Sequence, residues 1–126
     1  MKFQPIEPPR SFRVGIHEDV ELRDCGRVAL EPDEQITFTT GSGAEYDVAR
    51  KDWGFYATPS LNGRLQTLRL RAVLVASASK RYFVLLVERG REDDFERYRE
   101  REQLRVVCWL DSTSALEGLE EALART

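Results

Sequence analysis

Residues 45–65 read Glu45-Tyr46-Asp47-Val48-Ala49-Arg50-Lys51-Asp52-Trp53-Gly54-Phe55-Tyr56-Ala57-Thr58-Pro59-Ser60-Leu61-Asn62-Gly63-Arg64-Leu65, a block that sets four aromatic rings, a basic pair and two turn signals side by side. Tyr46 and Val48 occupy even positions, whereas Trp53, Phe55 and Ala57 occupy odd ones. Side chains alternate faces along a strand, so one regular strand cannot carry all five on one side. The chain must reverse or bulge between them: Ala49-Arg50-Lys51-Asp52 predicts a four-residue connection, with a bulge near Gly54 as the other solution. Beyond it, Pro59 has no amide proton for a ladder, which ends the strand Trp53 to Ser60 or assigns it to an edge. Leu61-Asn62-Gly63-Arg64 predicts a tight hairpin turn, because both central positions tolerate positive φ. A regular strand after the reversal sends Trp53 or Phe55 inward and leaves Tyr56 outward with Asp52, Thr58 and Arg64.

Upstream of the block, Val14 and Ile16, Val20 and Leu22, Val28 and Leu30, and Ile36 and Phe38 alternate with polar neighbours, as half-buried strands do. Asp24-Cys25-Gly26 and Glu31-Pro32-Asp33-Glu34 are the predicted turns between them. Thr40-Gly41-Ser42-Gly43-Ala44 is a loop rather than a phosphate cradle, since no helix follows it. Downstream, residues 68–75 form a long strand, and residues 82–87 are apolar on both faces, as a central, doubly covered strand would be. Ser77 to Arg81 is the hairpin loop joining them. Glu92-Asp93-Asp94 starts a helix reaching about Gln103, with Phe95 and Tyr98 facing inward. Residues 104–110 are again a strand. Ser114 and Glu117 form a capping box for a last helix whose Leu116, Leu119, Ala122 and Leu123 make one apolar side. The expected fold class is α+β, mainly β: an antiparallel sheet or a jelly-roll-like barrel over about 11–90, then helix, strand and helix over 91–126. Three prolines make residues 1–10 an extended N-terminal arm. Residues 11–126 are expected to be one β-rich domain.

A chain of 126 residues, 41% hydrophobic and 33% charged, has the length and composition of one globular core. Its longest apolar run, Tyr82 to Val87, is too short to cross a bilayer, and no membrane partner is expected. The N-terminus lacks the apolar stretch of a secretory signal, and Cys25 and Cys108 fit no paired-thiol or zinc spacing. Free thiols in the cytoplasm are the expectation. Net charge is −3, but residues 17–49 carry nine acids against two bases and residues 50–81 seven bases against one acid. That asymmetry either makes a basic face for an anion or supplies opposite-charge pairs between neighbouring strands, and the pairing is the ordinary outcome.

No complete catalytic or metal motif is present, so catalytic residues remain unassigned and neither metal nor cofactor is expected. His17 is the single histidine, which excludes any site needing two. A nucleophilic pair of His17 with Cys25 lacks an orienting motif. Asp47 and Asp52 flank Arg50-Lys51, and with Tyr46 or Tyr56 as proton donors they make a sugar isomerase or epimerase the enzymatic alternative. Glu31, Asp33 and Glu34 around a proline turn offer carboxylates to a hard cation, although such groups are more often simply solvated. The favoured reading is a binding surface of Tyr46, Arg50, Lys51, Asp52, Tyr56, Asn62 and Arg64. Flat rings suit the apolar faces of a sugar, planar polar groups its hydroxyls, and a guanidinium fork an attached phosphate. Net acidity and a basic set of only seven argue against nucleic acid.

The same block, with the later Phe95, Tyr98 and Trp109-Leu110-Asp111, resembles the signature of a small uncharacterised bacterial family associated with surface-polysaccharide biosynthesis loci. The resemblance implies a cytoplasmic, sugar-linked role and transfers no catalytic residue. Taken together, these observations predict a small cytoplasmic β-rich binding or accessory protein for a sugar or sugar nucleotide, more a binder than an enzyme. The remaining alternative is a structural homo-oligomer built through the strand near Pro59 or the terminal helix.

Overall fold

The computed structural model describes residues 1–56 and 59–126, so the expectations that fell on Ala57 and Thr58 lie outside the described residues. In chain order the described elements are β1 (Lys2–Val14), β2 (Val20–Ala29), β3 (Gln35–Thr39), β4 (Glu45–Lys51), β5 (Gly54–Tyr56), α1 (Arg64–Thr67), β6 (Leu70–Ala76), β7 (Tyr82–Glu88), α2 (Glu92–Arg101), β8 (Arg105–Trp109) and α3 (Thr113–Ala124). The strands form three open sheets, ordered β1-β2, β3-β4-β5 and β7-β6-β8, among the described residues. The fold is therefore α+β and mainly β, with a helix, strand and helix at its end, and the barrel alternative is not realised. The chain divides into two compact units where the sequence reading expected one domain: Met1–Ile36 with Val48–Ala57, and Thr37–Asp47 with Thr58–Thr126.

In the first unit, residues 1–10 are extended as expected, but they belong to β1 and pair with β2 from Lys2 opposite Ala29 onward. Prolines donate no ladder bond, and the register slips between Pro5 and Arg10. The Asp24-Cys25-Gly26 turn is not formed. Those residues lie inside β2, where Gly26 has φ +152° and any Cβ would stand 2.6 Å from the Gln4 carbonyl oxygen. Glycine there answers a close backbone approach rather than a chain reversal. The reversal falls instead at residues 15–19, where the Glu18 amide donates to the Gly15 carbonyl at 3.1 Å. The second predicted turn is present, with the Glu34 amide donating to the Glu31 carbonyl at 3.1 Å.

The chain also reverses within the aromatic block, later than Ala49 to Asp52. Ala49 lies opposite Tyr56, Arg50 opposite Phe55 and Lys51 opposite Gly54, so Asp52 and Trp53 form a two-residue tip. Arg50 stays in a strand because its backbone is held from the other side: its amide donates to Glu34 at 2.9 Å and its carbonyl accepts from Asp33 at 2.7 Å.

In the second unit, β6 is the central strand and β7 an edge, the reverse of the expectation for residues 82–87. Ala72 and Ala76 are small enough for cover to approach β6 closely, and both are fully buried. One face of β6 contributes Leu70 and Ala72 to a cluster with Ala44 and Leu65. The other contributes Val73 and Val75 to a cluster with Val87 and Phe95. Period two thus yields a sheet covered on both sides, by α1 with residues 44–46 and by α2. Leu61 to Arg64 is not a hairpin but the turn leading into α1. The Arg64 amide donates to the Ser60 hydroxyl at 2.9 Å, and a Cβ on Gly63 would stand 2.5 Å from that same oxygen. The single turn of helix delivers Leu65 into the core at 0% exposure, a burial that contributes about 2 kcal/mol.

α2 ends at Arg101, two residues before Gln103, and it buries Phe95 while leaving Tyr98 exposed. Phe95 meets Trp109 edge to face, with centroids 5.8 Å apart. α3 is capped by Ser112 rather than Ser114: the Ser112 hydroxyl accepts from the Ala115 amide at 3.1 Å. None of its residues is buried, and Leu119 and Leu123 are exposed. No helix among the described residues is long and apolar enough to cross a membrane.

Candidate functional site

The short hairpin of β4 and β5 carries the block's rings into solvent. Trp53 at its tip is 71% exposed, Phe55 61% and Tyr56 57%. The expectation that Trp53 or Phe55 packs inside is therefore corrected. A three-residue strand ending a two-residue turn has no covering layer in its own unit, where none of the described residues is buried. Phe55 stands opposite Arg50, and directly paired residues project from the same face of a hairpin. The guanidinium is steadied by backbone, with Nη1 donating to the Leu30 carbonyl at 2.9 Å and Nε to the Lys51 carbonyl at 3.2 Å. Lys51 pairs with Asp33, a hydrogen bond that raises the ammonium above its ordinary value. Arg50, Lys51, Asp52 and Tyr56 all belong to this first unit.

The other three residues of the predicted surface, Tyr46, Asn62 and Arg64, belong to the second unit and are otherwise engaged. Tyr46 packs against the Leu65 cluster. It also lines an apolar cleft of about 190 Å³ with Phe38, Leu70 and Leu86. Asn62 donates to the Thr113 hydroxyl at 3.2 Å. Arg64 Nη2 donates to Asp47 at 3.0 Å, and the Thr37 hydroxyl donates to the other Asp47 oxygen at 2.8 Å. Those two bonds, Thr37's first, hold the Asp47 carboxyl below the usual carboxylate range. A carboxylate so stabilised is a weak base and, at neutral pH, no acid.

Two of the sequence's candidate sites are taken apart by the geometry. The Glu31, Asp33 and Glu34 carboxylates do not converge on one point: Glu34 accepts from the Glu31 amide and the N-terminal ammonium, while Asp33 takes Lys51. His17 lies in the turn after β1, and Cys25 is five strand steps past Val20, about 17 Å along β2. Part of the charge asymmetry is met by pairs, with Asp33 and Asp47 from the acidic stretch meeting Lys51 and Arg64 from the basic one.

A cluster that pattern reading missed sits on the second unit. Arg71 lies 4.0 Å over the Trp109 ring, donates through Nε to Asp111 at 2.7 Å and through Nη1 to Glu92 at 3.4 Å. Arg89 approaches the same Asp111 oxygen at 3.8 Å. The hint was Arg71 inside an otherwise apolar strand, which requires a buried or half-buried acid from elsewhere. Nearby, Glu96, Arg99, Arg105 and Trp109 line an open groove of about 500 Å³. Arg99 is spoken for there, bonded to both Glu96 oxygens. Compared with known proteins, the chain matches no family model, no curated protein and no solved structure.

Proposed function

We propose that this protein is a non-catalytic binding or accessory protein that recognises a sugar or sugar nucleotide through the β4–β5 hairpin. One observation carries the reading: Trp53, Phe55 and Tyr56 are all more than half exposed on a single short hairpin. Phe55, on the face it shares with the backbone-braced Arg50, and Trp53 at the tip offer a surface for the apolar face of a sugar ring and for an attached phosphate, while Tyr56 projects from the opposite face. Arg50 and, at the tip, Asp52 remain beside that surface, and Lys51 and Tyr56 stand on the hairpin's other face. Tyr46, Asn62 and Arg64 leave the surface, because their contacts serve the second unit. The free thiols Cys25 and Cys108 favour a reducing, cytoplasmic setting. The likeness of the block to a family from surface-polysaccharide loci supports a place beside an enzyme of that chemistry. The isomerase or epimerase alternative loses support from Asp47, whose two oxygens are occupied by Thr37 and Arg64.

Titration calorimetry with a panel of uridine- and thymidine-diphosphate sugars, and with the free sugars, tests the proposal. Saturable binding that Trp53→Ala abolishes without changing the circular dichroism supports it. Binding by none of the panel, or binding indifferent to both Trp53→Ala and Phe55→Ala, removes it.

A further inference from the structure

The open edge of β7 has a composition that edges normally avoid. Tyr82, Phe83 and Val84 are 58%, 46% and 59% exposed, and the strand from Tyr82 to Val87 contains no proline and no charge. Natural edge strands are usually blunted by those devices, since their unpaired amides and carbonyls otherwise recruit another strand. The direction of those groups follows from the pairing with β6. Arg89 donates its amide to Arg69, continuing the register in which Leu70 faces Glu88. The odd residues of β7 therefore spend their backbone bonds on β6. Tyr82, Val84 and Leu86 aim theirs outward.

We propose that two copies of this chain pair their β7 strands antiparallel about a two-fold axis at Val84, joining two three-stranded sheets into one of six strands. A two-fold perpendicular to a sheet places a residue opposite its own copy, and hydrogen-bonded pairs must come from the outward set. Val84 satisfies both conditions. Tyr82 then lies opposite the partner's Leu86 and Phe83 opposite the partner's Leu85, with about six backbone hydrogen bonds along the seam. Charge agrees with the same arrangement. Arg81 precedes the strand and Glu88 ends it, so antiparallel apposition lays the basic end of each strand towards the acidic end of its partner, whereas in-register parallel apposition would stack Glu88 on its own copy. Shape agrees as well. Directly opposed residues share a face, so each Tyr82 ring falls beside the partner's Leu86, which lines the apolar cleft of about 190 Å³ already described.

This inference uses neither the hairpin nor its ligand, and the two proposals fail separately. Sedimentation equilibrium of the full chain, from micromolar to millimolar concentration, should show a dimer. Val84→Lys puts two ammonium groups face to face on an exposed position and should weaken it at least about tenfold while circular dichroism stays unchanged. Should that variant misfold, Tyr82→Ser serves in its place, with a similar loss expected from the emptied cleft. A monomer throughout the range, or a dimer indifferent to folded Val84→Lys or Tyr82→Ser, overturns the proposal. Trp53→Ala should leave the dimer unchanged.

Discussion

The two units are built from the same raw material, alternating strands with short turns, and differ in what covers them. In the second, β6 is flanked on both sides and sealed above and below, so Val73 and Val75 reach 0% exposure. In the first, the long β1–β2 ribbon leaves Phe3, Leu22 and Val28 exposed, and none of the described residues is buried. The comparison separates two properties that one pattern confuses. Alternation makes a strand, but stability requires a further layer, and a two-stranded ribbon by itself is marginal in water. The second unit therefore carries the hydrophobic stabilisation, and the first presents surface.

The largest expected effect lies in the sealed region. Leu65→Ala should cost about 3 kcal/mol in urea unfolding, from lost burial plus the cavity left behind. Leu22→Ala in the ribbon should cost within about 0.5 kcal/mol. Equal losses would break the comparison. Asp111→Ala comes next, at about 2 kcal/mol, because it strips Arg71 and Arg89 of their shared carboxylate beside Trp109. The decisive contrast is with Asp111→Asn, which removes the charge but keeps an oxygen to accept from Arg71 Nε and should be milder by the same measurement. Ser112→Ala should remove about 1 kcal/mol by leaving the Ala115 amide without its cap. A smaller effect should appear only in acid. Asp47 has a lowered folded pKa, so its stabilising contribution is complete above the ordinary carboxylate value of about 4 and is lost as pH falls through the lower folded value. Asp47→Asn should therefore flatten the urea midpoint against pH in that acidic window; an unchanged profile would mean that Thr37 and Arg64 contribute nothing there.

Elements were legible where the deciding interactions are local. The Glu31 to Glu34 turn, the Ser77 to Arg81 loop and the acid-led α2 follow from proline, serine and carboxylate chemistry within a few residues. The errors share a different cause. Asp24-Cys25-Gly26 looks like a turn, yet its glycine serves a contact with Gln4, a partner some twenty residues away. Asn62-Gly63 looks like a hairpin, yet the pull of Leu65 into the core winds the chain into α1. Residues 82–87 look central because they are apolar, yet centrality went to β6, whose alanines admit close cover. The residues of the candidate surface divide for the same reason: one continuous block held them, but Tyr46, Asn62 and Arg64 lie in the second unit, engaged by the Leu65 cluster, Thr113 and Asp47.

The amino-acid order alone settled the class of this protein, its antiparallel strands, its closing helix–strand–helix and the reversal inside the aromatic block, since period and turn chemistry act over a few bonds. Only the tertiary structure decided which strand lies at the centre, which rings meet water and which acid neutralises which base. Those outcomes depend on competition among segments far apart in the chain for a limited buried volume, and no short stretch of sequence contains the competitors.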